Sequence, residues 1–260
     1  MTIGVKKTKK ILFNILYPLI TFSVILIIWV IAAAATGTEL ILPSPLAVLK
    51  SLGVLFTEKE FYKAFLFSFL RSLAAFAISF SLALVLSILS RIFPTFYKLI
   101  NPLISILRAL PTVAIVLLLV IWTNTNWAAI IVALLVIMPT LFAAIYSSLI
   151  NLDNDLILMC RVFNVSKRRM VSKMFMPLLL PDVLLSAVSG LSLNLKLIVA
   201  AEVIANTPYS LGGMMNAAKI YIATSRLLAL TVMTVITAVI IEALLKLAIR
   251  PLIKWKGGQK

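Results

Sequence analysis

Histidine is absent from the 260 residues, cysteine occurs once, at Cys160, and acidic residues number only 8. Each scarcity removes a class of function. Without histidine and with a single thiol, no Cys/His metal site can be assembled and no disulfide can close within the chain. A Ser-His-Asp triad is impossible and no Gly-rich phosphate loop is present, so the chain is not expected to hydrolyse anything itself. The acids are Glu39, Glu58, Glu60, Asp153, Asp155, Asp182, Glu202 and Glu242, most of them near the ends of apolar runs or in polar connections. Charged residues make up 12% of the chain, against about a quarter in soluble domains.

What is present is apolar: 63% of the residues are hydrophobic. That composition predicts an all-α polytopic membrane protein. A formal net charge of +16 would suggest a nucleic-acid partner in a soluble chain. Here the basic residues lie in clusters between apolar runs, where a membrane protein needs them for orientation, and no nucleic-acid partner is expected.

Lys6, Lys7, Lys9 and Lys10 precede an uncharged run over 11–38, longer than the about 20 residues needed to cross a bilayer core. It also exceeds the h-region of a cleaved leader, so Ala33-Ala34-Ala35 is not expected to be a cleavage site. Ser44 followed by Pro45 predicts the capped start of a short helix at the membrane surface. Glu58, Lys59, Glu60 and Lys63 mark a wet region. A second span is predicted over about 65–90, with Arg71 near its start snorkelling to the interface. A third begins near 99 and is interrupted at Arg108–Pro111. A fourth covers about 127–150 and contains Pro139. A fifth starts near Pro177 or Pro181 and ends near Glu202. A sixth covers about 227–248, with Glu242 and Lys246 spaced to pair across one helical turn.

Six spans place the N-terminal lysines, Arg91, Lys98, the 151–173 loop and the basic tail on one side. The positive-inside rule makes that side the cytoplasm and puts both termini there. The loop 151–176 is the longest cytoplasmic connection. Asp153, Asn154 or Asp155 is placed to cap a helix. Leu156, Ile157, Met159, Cys160 and Phe163 give that helix an apolar face. Asn164 follows, the non-glycine residue best suited to a left-handed stop. A second short basic helix with Lys167, Arg168, Arg169 and Lys173 leads to Pro177. Basic residues alone would pin the loop to anionic lipid. Helix, turn and basic helix together read as a docking element for a partner groove.

This loop resembles the EAA loop of ATP-binding-cassette importer permeases in spacing. Leu158-Met159-Cys160, Asn164 and Met174-Phe175-Met176-Pro177 stand where that family has Glu-Ala-Ala, Gly and Ile-x-Leu-Pro. "LPSP" (42–45), "SFLRSLAAF" (68–76), "NPLISILRALPTVAIVLLLVIW" (101–122), "AAEVIANTPYSLGG" (200–213) and Trp255 resemble the nitrate/taurine/sulfonate-type permeases over residues 40–256.

The resemblance implies a type I importer permease fold, with residues 1–38 forming the N-terminus and first span, 39–256 the permease core and 257–260 a tail. It implies a cytoplasmic ATPase dimer, a second permease copy across the pore, an extracytoplasmic solute-binding protein and surrounding lipid as partners, in a prokaryotic plasma membrane. ATP and magnesium would sit on the ATPase, and this chain would hold no cofactor. Asp155, Leu156, Met159, Cys160, Phe163, Asn164, Lys167, Arg168, Arg169 and Pro177 would form the coupling element. Arg108, Pro111, Ser189, Ser192, Asn194, Lys196 and Glu202 are the candidates for the pathway of a small polar or anionic solute. For Arg108 the alternative is snorkelling. For Lys196 it is a bond to a carbonyl or to Glu202, and for the serines and Asn194 it is close helix packing. Glu202 is also placed to hold the loop before Leu211-Gly212. A secondary transporter driven by an ion gradient is the competing function. Glu202 is its one titratable candidate, and it would leave the 151–176 loop without a role.

Overall fold

The computed structural model describes the backbone of residues 2–152 and 154–253, with side chains from Leu16 onward except at 154, 157, 161, 167 and 252–253. The side chains of the N-terminal lysines and of Lys167, together with Asp153, Trp255 and the tail 257–260, lie outside the described residues. Among the described residues all regular structure is helical: α1 (Thr2–Thr36), α2 (Pro45–Leu55), α3 (Lys59–Ile92), α4 (Pro94–Ala109), α5 (Thr112–Trp122), α6 (Thr125–Ile150), α7 (Asn154–Val162), α8 (Lys167–Met170), a π-turn (Val171–Phe175), α9 (Met176–Ala205), α10 (Leu211–Ile220) and α11 (Thr224–Ile253).

Five of these helices, α1, α3, α6, the run from Arg168 to Ala205 and α11, are long and apolar enough to span a bilayer. The pair α4–α5 bends by 94°. Leu110 is extended (φ −67°, ψ 131°), as a residue before proline prefers, and Pro111 cannot donate to the helix before it. Two hydrogen bonds decide whether the bent pair crosses. Arg71 of α3 reaches Asn126 of α6 at one end, and Arg91 of α3 reaches the Leu149 carbonyl of α6 at the other. The helices α3 and α6 therefore run parallel. The chain between them must return across the bundle, so α4–α5 is one broken span and the spans number six. Asn194 of α9 contacts Ser72, and Glu202, farther along, contacts Ser68, so α9 runs antiparallel to α3.

Close packing explains how the bundle holds. Lipid supplies no hydrophobic drive between helices, so small residues that let backbones approach must do so. Along α3 the buried positions include Ala64, Ser68, Ser72, Ala75, Ser79, Ala83 and Ser87, three or four residues apart. This stripe meets α6 and α9. Ser79 and Ser87 donate to the Ala75 and Ala83 carbonyls of their own helix, which satisfies hydroxyls that would be costly in hydrocarbon.

The end of the bundle where α9 gives way to α11 is stapled. The Ser44 hydroxyl caps α2 by accepting from the Ala47 amide at 3.2 Å. Arg226 donates to both carboxylate oxygens of Glu58, at 2.7 and 2.6 Å. Thr224 donates to the Leu40 carbonyl and Trp29 to the Pro43 carbonyl. Several helices outrun the apolar segments expected of them: α3 starts at Lys59 and α11 ends at Ile253. Hydropathy marks the hydrocarbon layer, whereas backbone hydrogen bonding continues into the headgroups.

Candidate functional site

Two features stand out, one at each end of the bundle. At the end bearing α2 and α10, Arg71 does not snorkel. Its side chain is 12% exposed and donates to Glu202, which is 0% exposed, at 2.9 Å. Arg71 also donates to the Asn126 side chain at 2.8 Å and to the Pro208 carbonyl at 3.3 Å. Glu202 accepts further from the Ser68 hydroxyl at 2.6 Å and from the Gly212 amide at 3.3 Å. Ser68 in turn accepts from the Leu211 amide at 2.9 Å. One carboxylate thus ties α3, the end of α9 and the start of α10 together, and the arginine adds α6.

The backbone is shaped for this knot. Asn206 ends α9 at φ 48°, ψ 50°, the left-handed stop that asparagine tolerates. A Cβ on Gly212 would collide with the Cβ and backbone of Glu202, so only glycine fits. Lys196 does not bond Glu202: six residues along a helix turns a side chain about 240° away and displaces it by about 9 Å. The lone cation inside an apolar run was the sequence signal for a buried partner here. Nothing in the sequence says which acid, 131 residues away, supplies it.

At the opposite end, α7 is followed by a turn in which Asn164 sits at φ 46°. The left-handed stop expected at that asparagine is present. Asp155 lies in the first turn of α7, where a carboxylate favours the helix start. Cys160 turns inward: it is 5% exposed, and its sulfur lies 3.4 Å from that of Met174. Leu156 is half-buried. The exposed apolar surface of α7 is Leu158, Met159 and Val162, continued by Phe163, which is 74% exposed. Among the described side chains the outward ridge therefore differs from the expected face by gaining Leu158 and Val162 and losing Cys160, with Leu156 only partly exposed; the Ile157 side chain lies outside the described residues. Arg168 and Arg169 flank it, both exposed.

No break separates the basic helix from the next span: Arg168–Ala205 is continuous over 38 residues. The π-turn absorbs the effect of Pro177. It lies just before the proline, where the ring would otherwise press on the carbonyl four residues back.

The expected pathway residues divide. Ser192, Asn194 and Glu202 are buried between helices. Asn194 donates to the Ser72 carbonyl and hydroxyl at 2.7 and 2.9 Å. Ser189 and Lys196 are exposed on α9, and Arg108 and Pro111 are exposed at the α4–α5 break. An open cavity of about 330 Å³ lies between α6 and α9 beside Thr140, Ser186, Ser189 and Gly190. Glu242 and Lys246 of α11 pair at 2.6 Å, as their spacing predicts.

Residues 90–254 match the family described as binding-protein-dependent transport system inner membrane component. The chain is 28% identical to the taurine transport system permease protein TauC of Escherichia coli, over 91% of this chain and 88% of that protein. It is 22% identical to SsuC of Bacillus subtilis, a permease protein named for aliphatic sulfonates transport, over 91% and 86% of the two chains. Its fold is similar to that of a chain in an inward-facing MetNI methionine ABC transporter, with a TM-score of 0.59 at 18% identity, covering 75% of this chain and 99% of the other.

Proposed function

The chain belongs to the binding-protein-dependent transport system inner membrane components, and from that premise we propose how it couples and what it carries. It is the transmembrane permease subunit of an ABC importer. The family and the fold favour this over a carrier working alone on an ion gradient. In our reading the end bearing α7 faces the cytoplasm, where clustered Lys and Arg belong, and both termini lie on that side. The ridge Leu158–Met159–Val162–Phe163 seats in a groove of a cytoplasmic ATPase, and Arg168 and Arg169 set its register. Asn164 holds the turn between the two limbs, and Pro177 marks where the second limb enters the span. ATP and magnesium belong to that partner.

A second copy of the permease completes the pore in lipid. An external solute-binding protein delivers a small polar or anionic solute to the end capped by α2 and α10. Of the pathway candidates, Ser189 and Lys196 face outward from the bundle. Asn194 and Glu202 serve the packing of α3 against α9. Arg108 and Pro111 mark the hinge of the broken span.

The observation that carries this reading is the exposed ridge. Large apolar side chains beside cations at the membrane surface want a protein groove, since water and headgroups would leave them unpacked. Placing aspartate at both Val162 and Phe163 tests it. The ATPase is expected to stop copurifying while the melting temperature of the permease holds. Retention of the ATPase on that double variant refutes the docking assignment.

A further inference from the structure

We infer that Lys196 of α9, with Glu242 of α11 in its neighbourhood, is the charge centre of a water-filled pathway running along one face of α9, and that it receives a single anionic group of the transported solute. The inference rests on the permease reading and adds Glu242, which the sequence offered only as a partner of Lys246.

The first support is a stripe. Leu185, Ser189, Leu193, Lys196, Ala200 and Ile204 are all exposed, three or four residues apart. They form one uncovered face along most of the membrane depth of α9. Lys196 lies nine residues from the end of the helix at Ala205, about 13 Å into the bundle. An uncompensated ammonium at that depth is costly against acyl chains and stable against water or an opposing charge. The face of α1 shows what lipid contact looks like here. From Leu16 to Thr36 it carries no charge and is exposed except at Leu26, Trp29, Ala32 and Ala33, which are half-buried.

The second support is the neighbourhood of the lysine. Glu242 stands beside the Ser192 hydroxyl and in electrostatic range of Lys196, while its carboxylate also holds Lys246 at 2.6 Å. Among the described residues the one ion pair of Glu242 is taken by Lys246, so the cluster of Lys196, Lys246 and Glu242 carries a net positive charge. Arg108 is also exposed, but at the α4–α5 break rather than along α9. The third support lies next along the stripe. The 330 Å³ cavity beside Ser189 also offers Thr140 and Ser186. Their hydroxyls donate to carbonyls of their own helices, and they stand among Leu141, Ala144, Leu185 and Leu193 in a lining that is mainly apolar.

The chain's one cysteine makes the test direct. In a Cys160→Ala background, Ser189→Cys places a thiol on the stripe two turns from Lys196, about 10 Å away. The permease–ATPase complex in proteoliposomes is treated with anionic and with cationic methanethiosulfonate reagents, and the two labelling rates are compared. Ile78→Cys on α3 serves as the lipid-facing control. The thiol at 189 is expected to label far faster than the control, with the anionic reagent favoured. Adding Lys196→Met should lower the anionic-to-cationic ratio about ten-fold, and adding Glu242→Gln should raise it. A thiol at 189 as unreactive as the one at 78 means lipid or the second copy covers the stripe, and the inference falls. A ratio unmoved by Lys196→Met removes Lys196 as the charge centre. Solute uptake by the Cys160→Ala parent without any ATPase would instead overturn the importer reading, whatever the labelling shows.

Discussion

Replacing Glu202 by glutamine keeps the shape of the side chain and deletes its charge. Exposed ion pairs contribute little, about 0–1 kcal/mol, because water screens them and the side chains lose freedom in pairing. That figure does not apply here, because the carboxylate is fully buried and the guanidinium only 12% exposed. Removing one partner of a buried pair costs about 3–5 kcal/mol, since the remaining charge stays desolvated. In Glu202→Gln the Arg71 guanidinium keeps Asn126 and the Pro208 carbonyl, which are neutral acceptors, so the lower part of that range is expected. For a chain of this length each kcal/mol moves the melting temperature by about 2–4 °C. A fall of roughly 6–12 °C follows, read by tryptophan fluorescence in detergent. Arg71→Met alone leaves the carboxylate buried with Ser68 and the Gly212 amide, and should cost a similar amount. The double variant removes both charges and should recover about half of the summed loss, a coupling of about 2–3 kcal/mol. A Glu202→Gln protein melting within 1 °C or so of the parent, or a double variant whose loss equals the sum of the singles, would refute the assignment of this pair as a coupled lock.

Two further outcomes follow from backbone geometry. Asn164→Gly should leave ATPase stimulation intact, because glycine accepts φ 46° freely, whereas Asn164→Ile should reduce it several-fold by placing a β-branched side chain in the left-handed region. Equal stimulation by the two variants would remove the turn from the coupling element. Ile222 already carries that strain at φ 55° between α10 and α11, and its side chain is exposed. Ile222→Gly should therefore raise the melting temperature, by relief of about 1 kcal/mol, and a lowered melting temperature would show that the isoleucine makes a contact outweighing its backbone cost.

The spans were legible in the sequence because a bilayer imposes a one-dimensional rule, a minimum uncharged length, and the runs satisfy it segment by segment. The turn at Asn164 and the cap at Ser44 were legible for the same reason: each depends on two or three adjacent residues. The Arg71–Glu202 knot was not, since it joins residues on α3 and α9 that only the packed bundle brings together. Prolines misled in one place and informed in another. Pro111 ends a helix, whereas Pro139 and Pro181 lie buried inside helices that continue. All three lack an amide hydrogen, and which helix survives that loss is settled by neighbours the linear order does not reveal. The ridge of α7 was read with the right period, but the side that faces out was fixed by Cys160 meeting Met174.

The unbroken run from Arg168 to Ala205 has a mechanical consequence. At 38 residues its helical rise totals about 57 Å, with the limb that we propose docks on the ATPase at its foot and Glu202 near its tip. Moving as one body, a tilt of about 10° at the foot would swing the tip through about 10 Å, so under the proposed docking a small turn of the motor would arrive magnified at the knot that joins α3, α6 and α10. The π-turn at Val171–Phe175 interrupts the α-helical winding of that run, and torque absorbed there would not reach the far side of the membrane.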